Sequence, residues 1–343
     1  MNNSFFVQRL TKRIVGALVL LSAIAGHANP VAASTVVNIG ETASGVAVSN
    51  SNLVVAGLAN AKQGVIVTAG GATTRVDVQC TVSDVEIDAA GSFGWSVCSD
   101  APYLGVSSLT TGEISWTETR VTGAFDVEYS DTAKTLFVLG ESGQLAIISA
   151  RSLSDYEIRK SISIGDTPAG LAISPNGRQA FVSTYSNRFM IVDTRTGKFR
   201  TISVRLPGSQ QVSLGSLAMH PSGRFLFASG YVVKTGSSEF TPVFLTLNPT
   251  NGRTISSATL SVGSTSIDIA AGRNALYVGL GLSVDLPSGP TGLLQFSVNQ
   301  RGQLGSPTAV TAGKVFTSEI ELSANGKHLV VATTNSELLR IAV

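Results

Sequence analysis

Histidine is scarce in this chain, and the common motifs of hydrolases and metal sites are missing. Only three of the 343 residues are histidines. Two of them, His220 and His328, follow the first 28 residues, and at both positions we expect a turn or surface role. The sequence contains no GxSxG, HExxH, CxxC or Walker phosphate-loop motif. With so few ligands and bases, a zinc site or a Ser-His-Asp triad is disfavoured, and we assign no catalytic residue.

Charged residues are also few, and acids and bases nearly balance. Asp, Glu, Lys and Arg make up 13% of the chain, whereas about 25% is usual. The formal net charge is +2, but Arg9, Lys12 and Arg13 lie in the first 28 residues without any acid. Removing these three from the 24 bases leaves 21 bases against 22 acids. A nearly neutral protein has no general attraction to nucleic acid, so we expect no nucleic-acid partner.

Long apolar runs are absent apart from one near the N-terminus. Residues 14–26 form an apolar run of 13 after the basic residues, which falls short of the roughly 20 needed to span a bilayer. Small residues suitable for cleavage occur at 23–25, at the end of this run, and at 26–28 and 31–33. We therefore predict a signal peptide over 1–28, with cleavage possible up to 33. The mature chain is expected to be periplasmic or secreted, without a membrane span.

Cysteine is limited to Cys80 and Cys98. In an oxidising compartment an isolated pair is more often a structural disulfide than a reactive site. Cys80 precedes one predicted strand and Cys98 ends its hairpin partner, so both are expected at the same edge of the sheet. A disulfide is the preferred interpretation, and two separate buried thiols are the alternative.

Short strands and tight turns dominate the rest of the sequence. Residues 165–198 contain period-2 apolar runs of four to six residues between Gly, Asn and Pro turns, which is typical of an antiparallel meander. The same pattern recurs seven times, beginning at Gly45, Asp84, Asp126, Gly170, Ser216, Ser266 and Glu319. Successive copies start 39 to 53 residues apart. Four strands per unit of about 45 residues is the period of a β-propeller blade.

The two ends of the predicted mature chain complement each other. The last repeat ends after its third strand (338–343), whereas the segment 34–39 is a strand without a repeat of its own. Pairing them closes the ring and removes exposed strand edges. The sequence therefore predicts an all-β fold, a single seven-bladed β-propeller domain over 34–343. Its blades are four-stranded and antiparallel, and the N-terminal strand joins the last blade, although length alone would suggest about two domains.

Three stretches carry a resemblance to a known family: GDTPAGLAISPNGRQAFVSTYSN (165–187), GSLAMHPSGRFLFASG (215–230) and ELSANGKHLVVATTN (321–335). With them the chain resembles the YVTN-repeat and lactonase-like seven-bladed propellers of exported bacterial proteins. The resemblance covers nearly all of the mature chain and implies the fold. Functions vary widely among such proteins, so it supplies no activity.

Acidic residues recur in the first strand of four repeats. The third position of that strand is Ala47, Ala172 or Ala218 in three repeats and an acid in the other four, Glu86, Glu128, Asp268 and Glu321. Three of those strands also begin with an acid, Asp84, Asp126 and Glu319. Because the first strand of a blade is innermost, an acid there is costly to bury unless it meets channel water, a base or a cation. We predict that these carboxylates ring one channel mouth and attract a cation, Ca²⁺ among the candidates, or a cationic ligand. A solvated acidic funnel without a fixed ligand is the alternative.

Basic residues follow the turn after the first strand in five repeats, namely Lys134, Arg178, Arg224, Arg273 and Lys327. This spacing predicts that they share the face opposite the acids, where they could hold an anionic group. Surface charges that aid solubility are the preferred interpretation.

Two insertions, 230–242 and 280–292, are the longest irregular segments between second and third strands. They are expected to project from the acidic face, where loops on a rigid scaffold often carry recognition. The candidate ligand-binding side chains there are Tyr231, Lys234, Glu239, Phe240 and Asp285. Tolerated loop growth is the alternative.

Two functions from different classes fit these observations. The first is a noncatalytic, monomeric scaffold that binds a protein, peptide or glycan through the acidic channel mouth and the two insertions. The second is a metal-assisted, lactonase-like hydrolase, in which channel carboxylates hold a metal that polarises an ester carbonyl.

Overall fold

The computed structural model describes residues 34–152, 155–206, 212–233, 240–260, 266–286, 289–311 and 315–343. The predicted signal peptide and its cleavage sites lie outside these ranges. All 28 secondary-structure elements in the described ranges are β-strands, and they form seven four-stranded antiparallel sheets. None of the described residues belongs to a helix long and apolar enough to cross a membrane.

Six of the sheets consist of four consecutive strands, and we number them as blades 1 to 6. Blade 1 contains β2 (Ala43–Val48), β3 (Val54–Leu58), β4 (Gln63–Val67) and β5 (Thr73–Asp77). Blade 2 contains β6 (Val82–Ile87), β7 (Phe93–Cys98), β8 (Tyr103–Ser108) and β9 (Ile114–Glu118). Blade 3 contains β10 (Ala124–Ser130), β11 (Thr135–Gly140), β12 (Gln144–Ala150) and β13 (Tyr156–Ser163).

The remaining blades follow the same order. Blade 4 contains β14 (Pro168–Ile173), β15 (Gln179–Thr184), β16 (Arg188–Asp193) and β17 (Phe199–Ser203). Blade 5 contains β18 (Val212–Met219), β19 (Leu226–Val233), β20 (Phe240–Leu247) and β21 (Thr254–Thr259). Blade 6 contains β22 (Ser266–Ala271), β23 (Ala275–Leu286), β24 (Gly289–Val298) and β25 (Leu304–Ala309).

Blade 7 closes the ring as the sequence predicted. It contains β26 (Thr317–Leu322), β27 (His328–Thr333) and β28 (Glu337–Ala342), and its outermost strand is β1 (Ser34–Asn38) from the other end of the chain. Val36 pairs with Leu339 in this antiparallel ladder. The prediction of a closed seven-bladed propeller is confirmed, and β28 has no exposed edge.

The first strand of each blade faces the axis of the ring. These seven inner strands (β2, β6, β10, β14, β18, β22 and β26) contact one another in chain order, and β26 contacts β2. The hydrophobic core lies between neighbouring sheets, where the second and third strands are covered on both sides. The sequence TLFVLG of β11 is accordingly apolar without alternation and fully buried, whereas the outer strand β17, FRTIS, is mostly exposed.

The predicted disulfide between Cys80 and Cys98 is present in blade 2. Cys80 lies just before β6 and Cys98 ends β7, with their Cα atoms 5.7 Å apart and both side chains buried. The bond closes the start of the blade's first hairpin, and this agrees with the position that the sequence predicted.

The two insertions are more regular than the sequence indicated. In blade 5 the strands β19 and β20 continue their pairing as far as Val233 and Phe240. In blade 6 the strands β23 and β24 pair as far as Leu286 and Gly289. In their described residues the insertions are therefore extensions of hairpins, and there the prediction of irregular segments was wrong. Backbone pairing satisfies the amide groups of the paired residues, which an irregular loop would leave to solvent.

One buried arginine joins the last blade to the first. Arg340 of β28 is only 5% exposed. Its guanidinium donates to Asn52 Oδ1 (3.2 Å) and to the backbone oxygens of Asn52, Thr68 and Ala69 (3.0 Å each). All of these acceptors lie in the two hairpin turns of blade 1. The hydrogen bonds of Arg340 thus add to the β1–β28 pairing at the point where the ring closes.

Candidate functional site

Two rings of inner-strand positions line the centre of the propeller. We call the residue that ends the bulge of each inner strand the first position, and the residue two places later the third position; in blade 5 the bulge lies between Leu214 and Leu217, and Ser216 is the first position. The first positions are Gly45, Asp84, Asp126, Gly170, Ser216, Asp268 and Glu319. The third positions are Ala47, Glu86, Glu128, Ala172, Ala218, Ala270 and Glu321. All seven acids are partly exposed, so both rings reach the channel.

The register corrects the sequence alignment in blade 6. Asp268 pairs with Gly279, as Asp84 pairs with Val97 in blade 2, so Asp268 occupies the first position. The third position of blade 6 is Ala270, which pairs with Tyr277. The predicted ring of Glu86, Glu128, Asp268 and Glu321 therefore contains three acids at one level, and Asp268 belongs to the other ring.

A shorter turn explains the error. In blade 4 the turn between the first two strands is closed by a hydrogen bond from Ser174 N–H to Gln179 O, with four residues between them. In blade 6 the equivalent bond runs from Gly272 N–H to Ala275 O, with only two residues between them. Aligning the repeats on their second strands, with Val278 opposite Val182, therefore shifts the inner strand of blade 6 by two places.

Three first-position aspartates connect neighbouring blades. Each accepts a hydrogen bond from a backbone amide in the inner strand of the next blade. These bonds run from Val127 N–H to Asp84 Oδ2 (2.8 Å), from Leu171 N–H to Asp126 Oδ2 (2.8 Å) and from Ile320 N–H to Asp268 Oδ2 (3.1 Å). The other oxygen of Asp84 accepts the amide of Val85 (2.8 Å). These carboxylates have a structural role in addition to any contact with a ligand.

Glycine at the first position of blade 1 has a steric reason. A Cβ atom on Gly45 would lie 2.6 Å from the Cα atom and 2.5 Å from the Oδ1 atom of Asp84 in the next blade. A backbone atom cannot give way as the end of a flexible side chain can. A side chain at position 45 would therefore push the inner strands of blades 1 and 2 apart.

Replacing Asp84 by alanine is expected to lower the free energy of unfolding by about 2 kcal/mol, because the amides of Val85 and Val127 lose their acceptor. Asp84→Asn is the matched control, since the amide side chain keeps one acceptor oxygen, and we expect it to lose less. Urea denaturation at pH 7 measures both variants. Equal stability of Asp84→Ala and the wild type would show that these bonds contribute nothing.

Burial and the charges of neighbouring acids raise the pKa of all three third-position glutamates. Burial is the main cause of the raised pKa of Glu86, and the charge of Glu321 adds to it. Burial likewise raises the pKa of Glu128, followed by the charge of Glu86. For Glu321, burial and then the charge of Asp268 raise the pKa to about 8. The inner strands contain no Lys, Arg or His that could offset these charges.

The first-position aspartates are affected in the same direction. Burial, followed by the charge of Asp126, raises the pKa of Asp84 well above its ordinary value. Burial also raises the pKa of Asp268, although its hydrogen bonds with the Glu319 side chain and with the backbone amides of Ile320 and Ile269 act in the opposite direction. Ionised carboxylates in the channel lining therefore raise the free energy of the folded protein.

A metal centre is not preformed in this lining. Within the described ranges, no group of three or more His, Cys, Asp or Glu side chains is arranged to hold a metal ion. Ca²⁺ favours six to eight oxygen ligands. Glu86, Glu128 and Glu321 come from blades 2, 3 and 7, with Ala47 of blade 1 between two of them. A metal at this level stays a prediction for experiment.

The structure describes part of the predicted ligand-binding hairpins. Tyr231 and Phe240 are in edge-to-face contact with their ring centres 6.4 Å apart, and Phe240 is 41% exposed. Lys234 and Glu239 lie outside the described residues. For Asp285 the structure gives the strand and its pairing with Pro290 but no side-chain environment.

His220 has the turn role that the sequence predicted, but it is buried. Ser222 N–H donates to His220 Nδ1 (3.0 Å), so the Nε2 atom carries the proton and donates to Arg273 O (2.9 Å). The imidazole therefore joins the hairpin turns of blades 5 and 6. Among the basic turn residues, Lys134 forms an ion pair with Asp131 (3.2 Å), and the Arg224 guanidinium lies over the Phe225 ring.

Sequence reasoning missed the inter-blade bonds of the first-position aspartates and the buried Arg340. The repeated Asp-Val-Glu of β6 and β10 was a signal for the first of these. For Arg340, which is the only base in LLRIAV, the signal was a charge inside an otherwise apolar strand.

No protein family model matches the chain, and no curated protein matches its sequence. Among solved structures, a chain of the mitotic checkpoint complex aligns with a TM-score of 0.69 and 15% identity, over 96% of this chain and 99% of that one. Virginiamycin B lyase from Staphylococcus aureus aligns with a TM-score of 0.64 and 10% identity, over 91% and 99%. The β-propeller domain of Cps50 (Swd1) from Myceliophteria thermophila aligns with a TM-score of 0.65 and 12% identity, over 91% and 100%. These likenesses show a WD40-like seven-bladed fold. The YVTN-repeat and lactonase-like family stays a resemblance.

Proposed function

We propose that this protein is an exported, noncatalytic binding scaffold that receives a cationic segment of a protein or peptide partner at the acidic mouth of its channel. The extended hairpins of blades 5 and 6 provide the rest of the contact surface. The observation that carries the proposal is the composition of the inner strands, which contain seven acids and no base.

Charge complementarity supports a cationic ligand. The seven carboxylates are only partly exposed, so water and salt screen them less than surface charges. A lysine or arginine side chain of a partner would offset the mutual repulsion of Glu86, Glu128 and Glu321 and supply hydrogen-bond donors. Binding free energy therefore comes from relief of an unfavourable charge arrangement as well as from new contacts.

The topology supports a contact surface that includes the hairpins. The start of β18 pairs with the far end of β19, because Val212 is opposite Val232. The start of β22 likewise pairs with Leu280, just before the hairpin extension of blade 6. Both extensions thus leave the ring at the face where the inner strands begin. Exposed Phe240 is suited to pack against a peptide.

The fold is one that commonly serves as a protein-interaction scaffold. One structural neighbour, by its description, belongs to a complex, the mitotic checkpoint complex. A rigid ring that presents loops and hairpins at one face offers a large, preformed surface, and this is consistent with binding rather than with a particular reaction.

Calorimetric titration at low ionic strength with a hexa-arginine peptide tests the proposal, and hexa-glutamate is the negative control. We expect hexa-arginine to bind and the triple variant Glu86→Gln, Glu128→Gln, Glu321→Gln to bind at least tenfold more weakly, which corresponds to about 1.4 kcal/mol. Ca²⁺ is titrated separately against the same two proteins.

The matched control removes the same charge from the outside of the ring. Glu113, Glu118 and Glu157 are exposed residues in or beside the outer strands β9 and β13, and their triple Gln variant should bind the peptide within twofold of the wild type. An equal loss in both triple variants, or no binding of hexa-arginine, contradicts the proposal. Tight binding of Ca²⁺ that is lost only in the channel variant would make a metal ion the ligand instead.

A further inference from the structure

A second site candidate lies on the side of the ring, between blades 4 and 5. It is an open cleft of about 530 Å³. One wall is the end of β17 with the residues after it, and the other is the turn before β21 with the first half of that strand. Its lining consists of Ser203, Arg205, Leu206, Asn251, Gly252, Arg253, Thr254, Ile255, Ser256 and Ser257. Small-molecule sites commonly measure about 300 to 1,000 Å³, so the cleft has the size of a ligand site.

Charge is strongly segregated around this cleft. Residues 194–267 contain seven bases and a single acid, Glu239. Elsewhere in residues 29–343, 14 bases remain against 21 acids. The net charge is nearly zero, but blades 4 and 5 contain a basic sector. The charge of this sector is opposite in sign to that of the acidic channel. Such a sector attracts anions to its surface.

Two arginines bring this charge into the cleft itself. Arg205 and Arg253 both line it, and both are exposed. Neither guanidinium forms an ion pair with a described residue. The walls are held together, since the Thr254 hydroxyl donates to Arg205 O (3.1 Å) and the Arg200 guanidinium donates to Thr250 O. The arginines are thus presented by a fixed scaffold with their donors available.

The other lining groups are hydroxyls, an amide and a small apolar patch. Ser203, Ser257 and Asn251 are exposed and can exchange hydrogen bonds with ligand hydroxyls. Leu206 and Ile255 supply apolar surface of the kind that packs against the C–H face of a sugar ring. An inorganic anion would use the arginines and leave most of these groups without a contact.

We propose that this cleft binds a saccharide that carries an anionic group, either a carboxylate or a phosphate. The planar guanidinium group of arginine recognises both groups through paired hydrogen bonds. Arg205 and Arg253 would hold the anionic group, and the hydroxyl and amide side chains would hold the sugar ring. The site is independent of the channel and has the opposite charge preference.

Calorimetry with five probes tests the proposal on the full mature protein: glucuronic acid, glucose 6-phosphate, galacturonic acid, neutral glucose and inorganic phosphate. We expect at least one of the three anionic sugars to bind at least tenfold more tightly than both glucose and inorganic phosphate. The best of the three identifies whether the anionic group is a carboxylate or a phosphate. Binding should weaken when NaCl is raised, because the contact is electrostatic.

The double variant Arg205→Gln, Arg253→Gln should bind the best probe at least tenfold more weakly and melt at the wild-type temperature. Arg178→Gln, Arg273→Gln removes the same charge from the hairpin turns and should bind as the wild type does. Absence of binding by all anionic sugars, or equal loss in both double variants, overturns the proposal. Inorganic phosphate binding as tightly as the sugars also overturns it, because the site would then recognise the anion alone.

Discussion

Replacing Arg340 by methionine is expected to lower the free energy of unfolding by about 4 kcal/mol, because four partly buried hydrogen bonds of one guanidinium are lost at once. Methionine has a similar length and fills the apolar part of the space, so the loss measures the hydrogen bonds rather than a cavity. Urea denaturation at pH 7 with two optical probes gives the value. The two probes also show whether blade 7 separates before the rest of the ring.

The position of Arg340 makes this effect larger than that of an ordinary surface arginine. The carbonyl oxygens of Asn52, Thr68 and Ala69 lie in hairpin turns, outside the strand ladders, so the guanidinium fixes both turns of blade 1 at once. Burial lowers the pKa of Arg340, because the charged form loses hydration. Four hydrogen bonds of the guanidinium replace that hydration with fixed protein acceptors.

Two variants separate this explanation from a general effect of charge. Arg340→Lys keeps the charge but cannot reach the four acceptors with one ammonium group, so we expect it to lose at least half as much stability. Arg159→Met removes a guanidinium that bonds Ser149 Oγ at an exposed site on blade 3, and we expect less than about 0.5 kcal/mol. A loss below about 1 kcal/mol for Arg340→Met would mean that other contacts hold the seam.

The protein should become less stable as the pH rises from 5 to 8, by on the order of 3 kcal/mol. The pKa of Glu321 is raised from 4.5 to about 8 in the folded protein. A group with a raised pKa takes up its proton more readily in the folded than in the unfolded chain. Its contribution is therefore complete below about pH 4.5 and is lost as the pH rises through about 8. Burial raises the pKa of Glu86 and Glu128 as well, so their contributions have the same sign.

Thermal and urea denaturation at half-unit steps from pH 5 to 8.5 measure this dependence. The triple variant Glu86→Gln, Glu128→Gln, Glu321→Gln should have a much flatter profile and be the more stable protein at pH 8. The outer triple variant Glu113→Gln, Glu118→Gln, Glu157→Gln should keep the wild-type profile. A wild-type stability that rises between pH 6 and 8 would contradict the assigned cause, because ionised channel carboxylates would then be stabilising.

The same carboxylates connect stability with the proposed function. At pH 8 the channel holds more negative charge than at pH 5, so a cationic ligand has more repulsion to relieve. Binding of hexa-arginine should accordingly stabilise the protein more at pH 8 than at pH 5. The ionised carboxylates therefore lower the stability of the free protein, and a bound cationic ligand restores it.

The fold was predictable because each blade repeats a local pattern. Alternating apolar residues select strands, and turns such as Pro-Asn-Gly at 175–177 place the hairpins, both of which act within a few residues. Closure was predictable because the strand over 34–39 and the three-stranded last repeat each lacked a partner. The disulfide followed from two cysteines that this pattern placed at one edge.

The site was less predictable, and Asp268 shows why. The level of Asp268 in the channel depends on the length of the hairpin turn after its strand. Shortening this turn by two residues leaves the alternating pattern of the strand unchanged, so the pattern does not reveal the shift. The hairpins of blades 5 and 6 show the same limit, since Val233 and Phe240 pair across a segment that looked irregular. In both cases the register between strands, rather than the identity of the residues, decided the outcome.

The sequence by itself determined the seven-bladed ring, the manner of its closure and the presence of seven acids without a base on its inner strands. Only the tertiary structure decided that three aspartates bond the next blade, that Arg340 joins the first and last blades, and that arginines from two blades share one cleft. Strand formation depends on neighbours along the chain, whereas these contacts join residues about 40 to 290 positions apart. Their distances are set by how the blades pack, and no pattern within one repeat contains that information.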